Sequence, residues 1–152
     1  MRYSYKFLLI LLLLLGALPA ISFSQDCFEY HIENCRWAPE NEFQKSRQSR
    51  SSEFAPGENI EFSIVVYKGE EYYISVNGHR KLGDIRLRIY EDDEERYLLY
   101  DNKEYRYEKF FYFKVTNTRN LILEISSEEN KADKKYCLGV LIEYIENPSA
   151  DR

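Results

Sequence analysis

From Ile60 onward, apolar side chains recur at every second position. Ile60, Phe62, Ile64 and Val66 alternate with Glu61, Ser63, Val65 and Tyr67, and Tyr72, Ile74 and Val76 alternate with Tyr73, Ser75 and Asn77. A period of two places each set on its own face of a pleated strand. The short Lys68-Gly69-Glu70 turn between these segments predicts a hairpin. Ile85, Leu87 and Ile89, interleaved with Arg86, Arg88 and Tyr90, give the cleanest strand pattern. A charged turn, Glu91 to Glu95, leads to a short strand over Tyr97 to Tyr100. Lys103 to Lys109 reads as a polar, tyrosine-rich loop. Phe111, Phe113 and Val115, then Leu121, Leu123 and Ile125, then Leu138, Val140, Ile142 and Tyr144, supply three more inward sets. No stretch keeps helical apolar spacing for three turns. Seven to eight short strands separated by turns predict an all-β fold, a two-layer antiparallel β-sandwich over residues 58–146.

The two ends of the chain read differently. Residues 1–24 run from a basic start with Arg2 and Lys6, through the apolar run Phe7 to Leu15, to small residues around Ala20, Ser22 and Ser24. That order is a secretory signal, with cleavage after Ser24 or Ala20. The apolar run falls short of the about 20 residues a membrane span needs. The chain is therefore expected to be exported, to a periplasmic, cell-surface or extracellular location, with no transmembrane segment after signal removal. Residues 25–57 are a mixed lead-in. Gln44 to Ser52, with Lys45, Arg47, Arg50 and four serines, reads as an edge strand or loose loop. Residues 147–152 are a tail.

Removal of residues 1–24 takes away two basic residues and no acid, so the formal net charge moves from −5 to −7. A nucleic-acid partner is not expected, because phosphate neutralisation needs clustered cations. Three cysteines remain, Cys27, Cys35 and Cys137. An exported chain is expected to form one bridge and leave one thiol over. The short Cys27–Cys35 loop gains about 3 kcal/mol of chain entropy and a loop to Cys137 nearly 5 kcal/mol. Energy does not choose between them. The local pair Cys27–Cys35 is the working expectation, with Cys137 as the unpaired thiol.

The stretch Val66-Tyr67-Lys68-Gly69-Glu70-Glu71-Tyr72-Tyr73-Ile74-Ser75-Val76, followed by Gly83 to Tyr90 and Leu99-Tyr100-Asp101-Asn102, resembles a known group. It is similar to the jelly-roll-like, pre-peptidase C-terminal-type domains of secreted bacterial peptidases. It resembles more closely small single-domain secreted bacterial β-sandwich proteins of no assigned activity. The resemblance covers residues 58–146. It implies a jelly-roll-like sandwich and export, and it carries over no catalytic residue.

Candidate chemistry is sparse. The two histidines, His31 and His79, have no glycine-flanked nucleophile beside them in sequence. Asp92 and Asp93, with Glu94, Glu95 and Asp84 or Asp101, are a weak calcium candidate. Consecutive acids on a turn point in different directions, so a solvated hairpin tip accounts for them better. No cofactor is expected. Strict alternation turns Tyr73, Tyr90 and Tyr112 outward, beside Arg86 and Arg88. Tyr97, Tyr105 and Tyr107 lie in or near neighbouring loops. Tyrosine and arginine are frequent binding anchors. The expected function is a non-catalytic binding or interaction module for a glycan or a protein. The alternatives are an envelope-associated structural protein without a small ligand, and a small hydrolase.

Overall fold

A computed structural model describes residues 27–146. The expected signal segment 1–24 and the tail 147–152 lie outside the described residues. Nine strands form two antiparallel sheets. The strands are β1 (Gln44–Lys45), β2 (Arg50–Phe54), β3 (Asn59–Val66), β4 (Glu71–Gly78), β5 (Ile85–Glu91), β6 (Leu98–Asp101), β7 (Phe110–Lys114), β8 (Arg119–Ser127) and β9 (Tyr136–Ile145). Among the described residues one short α-helix, α1 (Tyr30–Asn34), precedes them. Among the described residues no helix is long and apolar enough to cross a membrane.

The first sheet runs β1/β2-β9-β4-β7 and the second β3-β8-β5-β6. Read from the outside in, β2 pairs β9, β3 pairs β8, β4 pairs β7 and β5 pairs β6. This is one long hairpin, folded over so that successive pairs alternate between two layers, which is the connectivity of a jelly roll. The sandwich expectation holds. The hairpin expected between Ile60–Val66 and Tyr72–Val76 does not. β3 belongs to one sheet and β4 to the other, and the Tyr67–Glu70 turn carries the chain between layers. Gly69 sits at φ +87° in that corner while its N–H donates to the Val115 carbonyl at 2.8 Å. A side chain would strain this left-handed backbone.

The inward sets meet between the sheets. Phe54, Tyr72, Ile74, Val76, Leu138, Val140 and Ile142 face Ile64, Val66, Leu87, Ile89, Leu121, Leu123 and Ile125, all nearly inaccessible to water. Each such side chain contributes roughly 1.5–3 kcal/mol by leaving water.

Three polar side chains complete the sheets where strands break. Between β1 and β2 the chain leaves β9, and the Ile142 N–H donates instead to Ser49 Oγ at 2.9 Å. Gln48 bonds the Val65 N–H (2.8 Å) and the Val65 carbonyl (3.0 Å), closing the outer edge of β3. Asn102 is fully buried beyond the end of β6. Its Oδ1 accepts from Leu87 N–H at 2.9 Å, and its Nδ2 donates to Ile85 O (3.0 Å) and Glu108 O (3.1 Å). Each amide or hydroxyl takes the place of a missing strand, as buried backbone polar groups require.

A partial third layer lies on the outer face of the first sheet. α1 packs on β9, and Gly139 makes this possible. A Cβ there would stand 2.7 Å from His31 Cα. Cys27 and Cys137 form the disulfide, with Cα atoms 5.3 Å apart, and Cys35 is a buried free thiol. The expected Cys27–Cys35 bridge is corrected. Docking of the lead-in on β9 brings Cys27 to Cys137 and buries Cys35 among Ser75, Asn77 and Leu141, where burial pushes its thiol up to about 11.

Candidate functional site

The five side chains expected to form one aromatic and basic face lie on opposite sides of the sandwich. Tyr73 and Tyr112 are cross-strand neighbours on the outer face of the first sheet. Arg86, Arg88 and Tyr90 lie along β5 on the outer face of the second. Tyr73 is also not exposed. It is covered by Phe43 and stacks on Phe110 at 5.2 Å, while Arg36 lies 4.4 Å over Phe110. Its alternation does turn it away from the core, but the lead-in covers that side.

Arg86 and Arg88 are engaged in ion pairs. Arg86 holds Asp101 through two bonds of 2.6 and 3.1 Å, and this guanidinium keeps the Asp101 carboxyl below the usual carboxylate range. Arg88 pairs with Glu124 on β8. Tyr90 is half-buried, with Arg96 5.1 Å above its ring. Asp92 accepts from the Ser63 hydroxyl at 3.1 Å and Asp93 from Arg96 N–H at 2.8 Å, so both carboxylates fasten the β5–β6 turn. Among the described residues no three His, Cys, Asp or Glu side chains come together as a metal site.

The histidines are structural in their contacts. His31 N–H donates to Ser51 Oγ at 2.8 Å, and the same oxygen lies 2.7 Å from His31 Nδ1. These two contacts fix α1 to β2. His79 stacks on Tyr136 at 4.9 Å, and its Nδ1 accepts from Lys81 N–H.

The concave feature with binding character is a cleft of about 510 Å³ between the end of β6, the 102–109 loop and β7. Its wall is a ladder of rings. Tyr105 stacks on Tyr100 at 5.5 Å, Tyr100 on Phe111 at 3.9 Å and Phe111 on Phe113 at 5.3 Å. Tyr72 and Tyr144 continue the ladder into the core. The rings pass from Tyr105, 60% exposed, to Tyr100, 8% exposed, so the outer ring rests on a fixed base. Burial pushes the Tyr100 phenol up to about 12, which keeps it neutral. Tyr112, 50% exposed, stands on the opposite wall with its hydroxyl on Glu71.

The loop beneath is held in an unusual shape. Asp101 caps the turn 102–105 by accepting from Lys103 N–H at 3.0 Å. Arg106 and Tyr107 then follow in left-handed conformations, φ 57° and 56°. Two consecutive non-glycine residues there cost of order 1–3 kcal/mol each, and such strain concentrates at functional sites. The buried Asn102 amide ties the loop to β5 and keeps it in place.

β7 borders the cleft and is the sheet's edge, since it pairs only with β4 among the described residues. Val76 N–H donates to Lys109 O and Val115 N–H to Glu70 O. Antiparallel alternation then turns the backbone groups of Phe111 and Phe113 toward β4, and those of Phe110, Tyr112 and Lys114 away from it. The cleft thus combines exposed rings with free main-chain donors and acceptors. Of the expected residues only Tyr112 lines it. Tyr105 was expected in a nearby loop, whereas Tyr100 and Phe111 read as strand and core positions and Phe110 carried no reading.

Glu143 is a second notable group. It is 2% exposed on β9 beneath the lead-in, and burial raises its carboxyl, opposed in part by the Ala38 N–H at 2.8 Å. A folded-state value above the unfolded one means that folding binds the proton more tightly. The stabilisation is complete below the unfolded value and is lost as pH rises through the folded value. Glu143→Gln is expected to gain stability relative to the parent as pH rises from about 4 to about 8. Denaturant titrations across that range check this, and a difference that stays flat with pH would show that burial does not raise the Glu143 carboxyl.

The chain is thus a jelly-roll sandwich whose surface cleft is suited to binding. No protein-family model matches it, and no curated protein matches it. Among solved structures it is similar to a periplasmic lysozyme inhibitor of g-type lysozyme from Aeromonas hydrophila, at 7% identity and TM-score 0.48, over 72% of this chain and 91% of that one.

Proposed function

We propose that the chain is an exported, non-catalytic interaction module that holds a partner protein at the Tyr100–Tyr105–Phe111–Tyr112 cleft. The ring ladder carries this reading. It presents exposed aromatic surface on a rigid base, the arrangement typical of binding hot spots. The outward backbone groups of β7 favour a polypeptide, because an extended segment can add to a free strand edge. The Cys27–Cys137 bridge supports export, since such bonds persist in oxidising compartments.

Tyr105→Ala removes the exposed outer ring of the ladder and leaves the buried rings beneath it in the chain. Immobilised parent and variant, challenged with envelope and secreted fractions of the producing cells, test the reading. A protein retained by the parent and weakened about tenfold or more by Tyr105→Ala supports it. Retention of nothing, or retention indifferent to Tyr105, overturns it. Exposed rings beside Glu104 and Glu108 also favour a glycan as the second reading. Sugar binding on an array, lost with Tyr105→Ala, would replace the protein partner.

A further inference from the structure

Six of the eighteen lysines and arginines among the described residues sit in ion pairs. Arg86, Arg88, Arg96, Lys103, Lys114 and Arg119 are each in an ion pair. Lys45, Arg47 and Arg50 have no carboxylate partner among the described residues. They are exposed and fall within residues 44–52, a stretch without one acid, in a chain of formal net charge −5.

The three cations border a groove of about 430 Å³ between α1 and the β1–β2 edge. Its serine hydroxyls are already engaged. Ser46 Oγ accepts from Gln48 N–H, Ser49 Oγ serves Ile142, and Ser51 Oγ holds His31. The Arg50 guanidinium lies 4.0 Å over the Phe62 ring, so the charge of Lys45 and Arg47 is the main feature left to meet a ligand. The floor adds apolar surface, with Phe28 76% exposed and Ile32 half-buried, and Glu29 is the one acid in the lining. β1–β2 and β7 are the two margins of the first sheet, so this groove and the aromatic cleft lie at opposite edges.

We propose that the groove is a second docking site, for an acidic segment of a partner protein that also carries apolar side chains. Charge complementarity selects the occupant. Three cations from an acid-free stretch, gathered at one groove, attract carboxylates and repel basic chains, and the Phe28–Ile32 floor meets apolar side chains between those carboxylates.

A fluorescein-labelled peptide of alternating glutamate and leucine, followed by anisotropy, tests this. The parent should bind it, with affinity falling as salt rises from about 50 to about 300 mM. The double variant Lys45→Glu/Arg47→Glu, both positions exposed, should bind about tenfold or more weakly and should instead take the lysine–leucine counterpart. Tyr105→Ala should bind as the parent does, which separates this site from the cleft. Absence of binding, binding indifferent to the charge reversal, or equal binding of the lysine peptide by the parent overturns the proposal. Displacement by inorganic phosphate or heparin at matched charge also overturns it, in favour of a general anion site.

Discussion

The double variant Cys27→Ser/Cys137→Ser is expected to lose about 4 kcal/mol of folding stability. The two cysteines are 110 residues apart in sequence, so the bridge closes nearly the whole domain. Loop-closure entropy for that length is close to 5 kcal/mol, and removal of native bridges costs about 2–5 kcal/mol. The loss should appear as a lower denaturation midpoint with little change in far-ultraviolet circular dichroism near 25 °C. The effect should concentrate at the lead-in, because Cys27 anchors the layer that covers Tyr73, Cys35 and Glu143. Cys35 should then react with thiol reagents in the variant and stay protected in the parent. A midpoint within experimental error of the parent would show that packing of α1 on β9 holds the lead-in without the bridge.

Asn102→Ala is expected to cost about 3 kcal/mol and to lower the melting temperature by roughly 10 °C. The side chain leaves behind a donor at Leu87 and acceptors at Ile85 and Glu108, all previously satisfied by one amide. Buried groups stripped of their partner lose about 1–3 kcal/mol each, less where water reaches them. Asn102→Asp keeps the acceptor but loses both donations, so it should rescue little. Hydrogen exchange at the Leu87 amide reads the mechanism directly: its protection should fall in the alanine variant, while that of Leu123 on β8 should stay within the global limit. The Tyr105 ring should also lose its fixed position, because Asn102 tethers the loop that carries it. Unchanged Leu87 protection would sink this account.

These two positions show what alternation can and cannot convey. Ile85–Leu87–Ile89 and Leu121–Leu123–Ile125 were legible as inward faces because burial on a strand has a period of two. The same period says which face a residue occupies, not which sheet its strand joins. β3 and β4 therefore read as a hairpin across Lys68–Glu70, although the jelly roll sends them to different layers. Tyr73 shows a related limit. Its position opposite Tyr72 was correct, but exposure depends on a lead-in layer that local pattern does not contain. Gln48 and Ser49 read as part of an edge strand or loose loop and Asn102 as the end of a short strand, yet each completes a sheet by replacing a strand. The Cys27–Cys35 expectation failed because loop entropy does not say which cysteines meet, and only the path of residues 27–43 brings Cys27 to β9. The cleft was half legible. Tyr105 and Tyr112 stood out as exposed rings, whereas Tyr100 and Phe111 beneath them looked like ordinary core.

The position of β9 has a consequence for the order in which this domain can form. It lies between the β1–β2 margin and β4, yet among the described strands it comes last in the chain. Until residues 136–145 emerge, β2 lacks its pairing strand, β4 lacks one of its two, and Cys27 lacks its native partner Cys137. A nascent chain can pair β3 with β8 and β5 with β6, but the layer opposite them stays open. Completion of the fold is therefore a late, long-range event, which favours slow folding. The unfinished intermediate would expose the inner face of the second sheet until the final strand arrives.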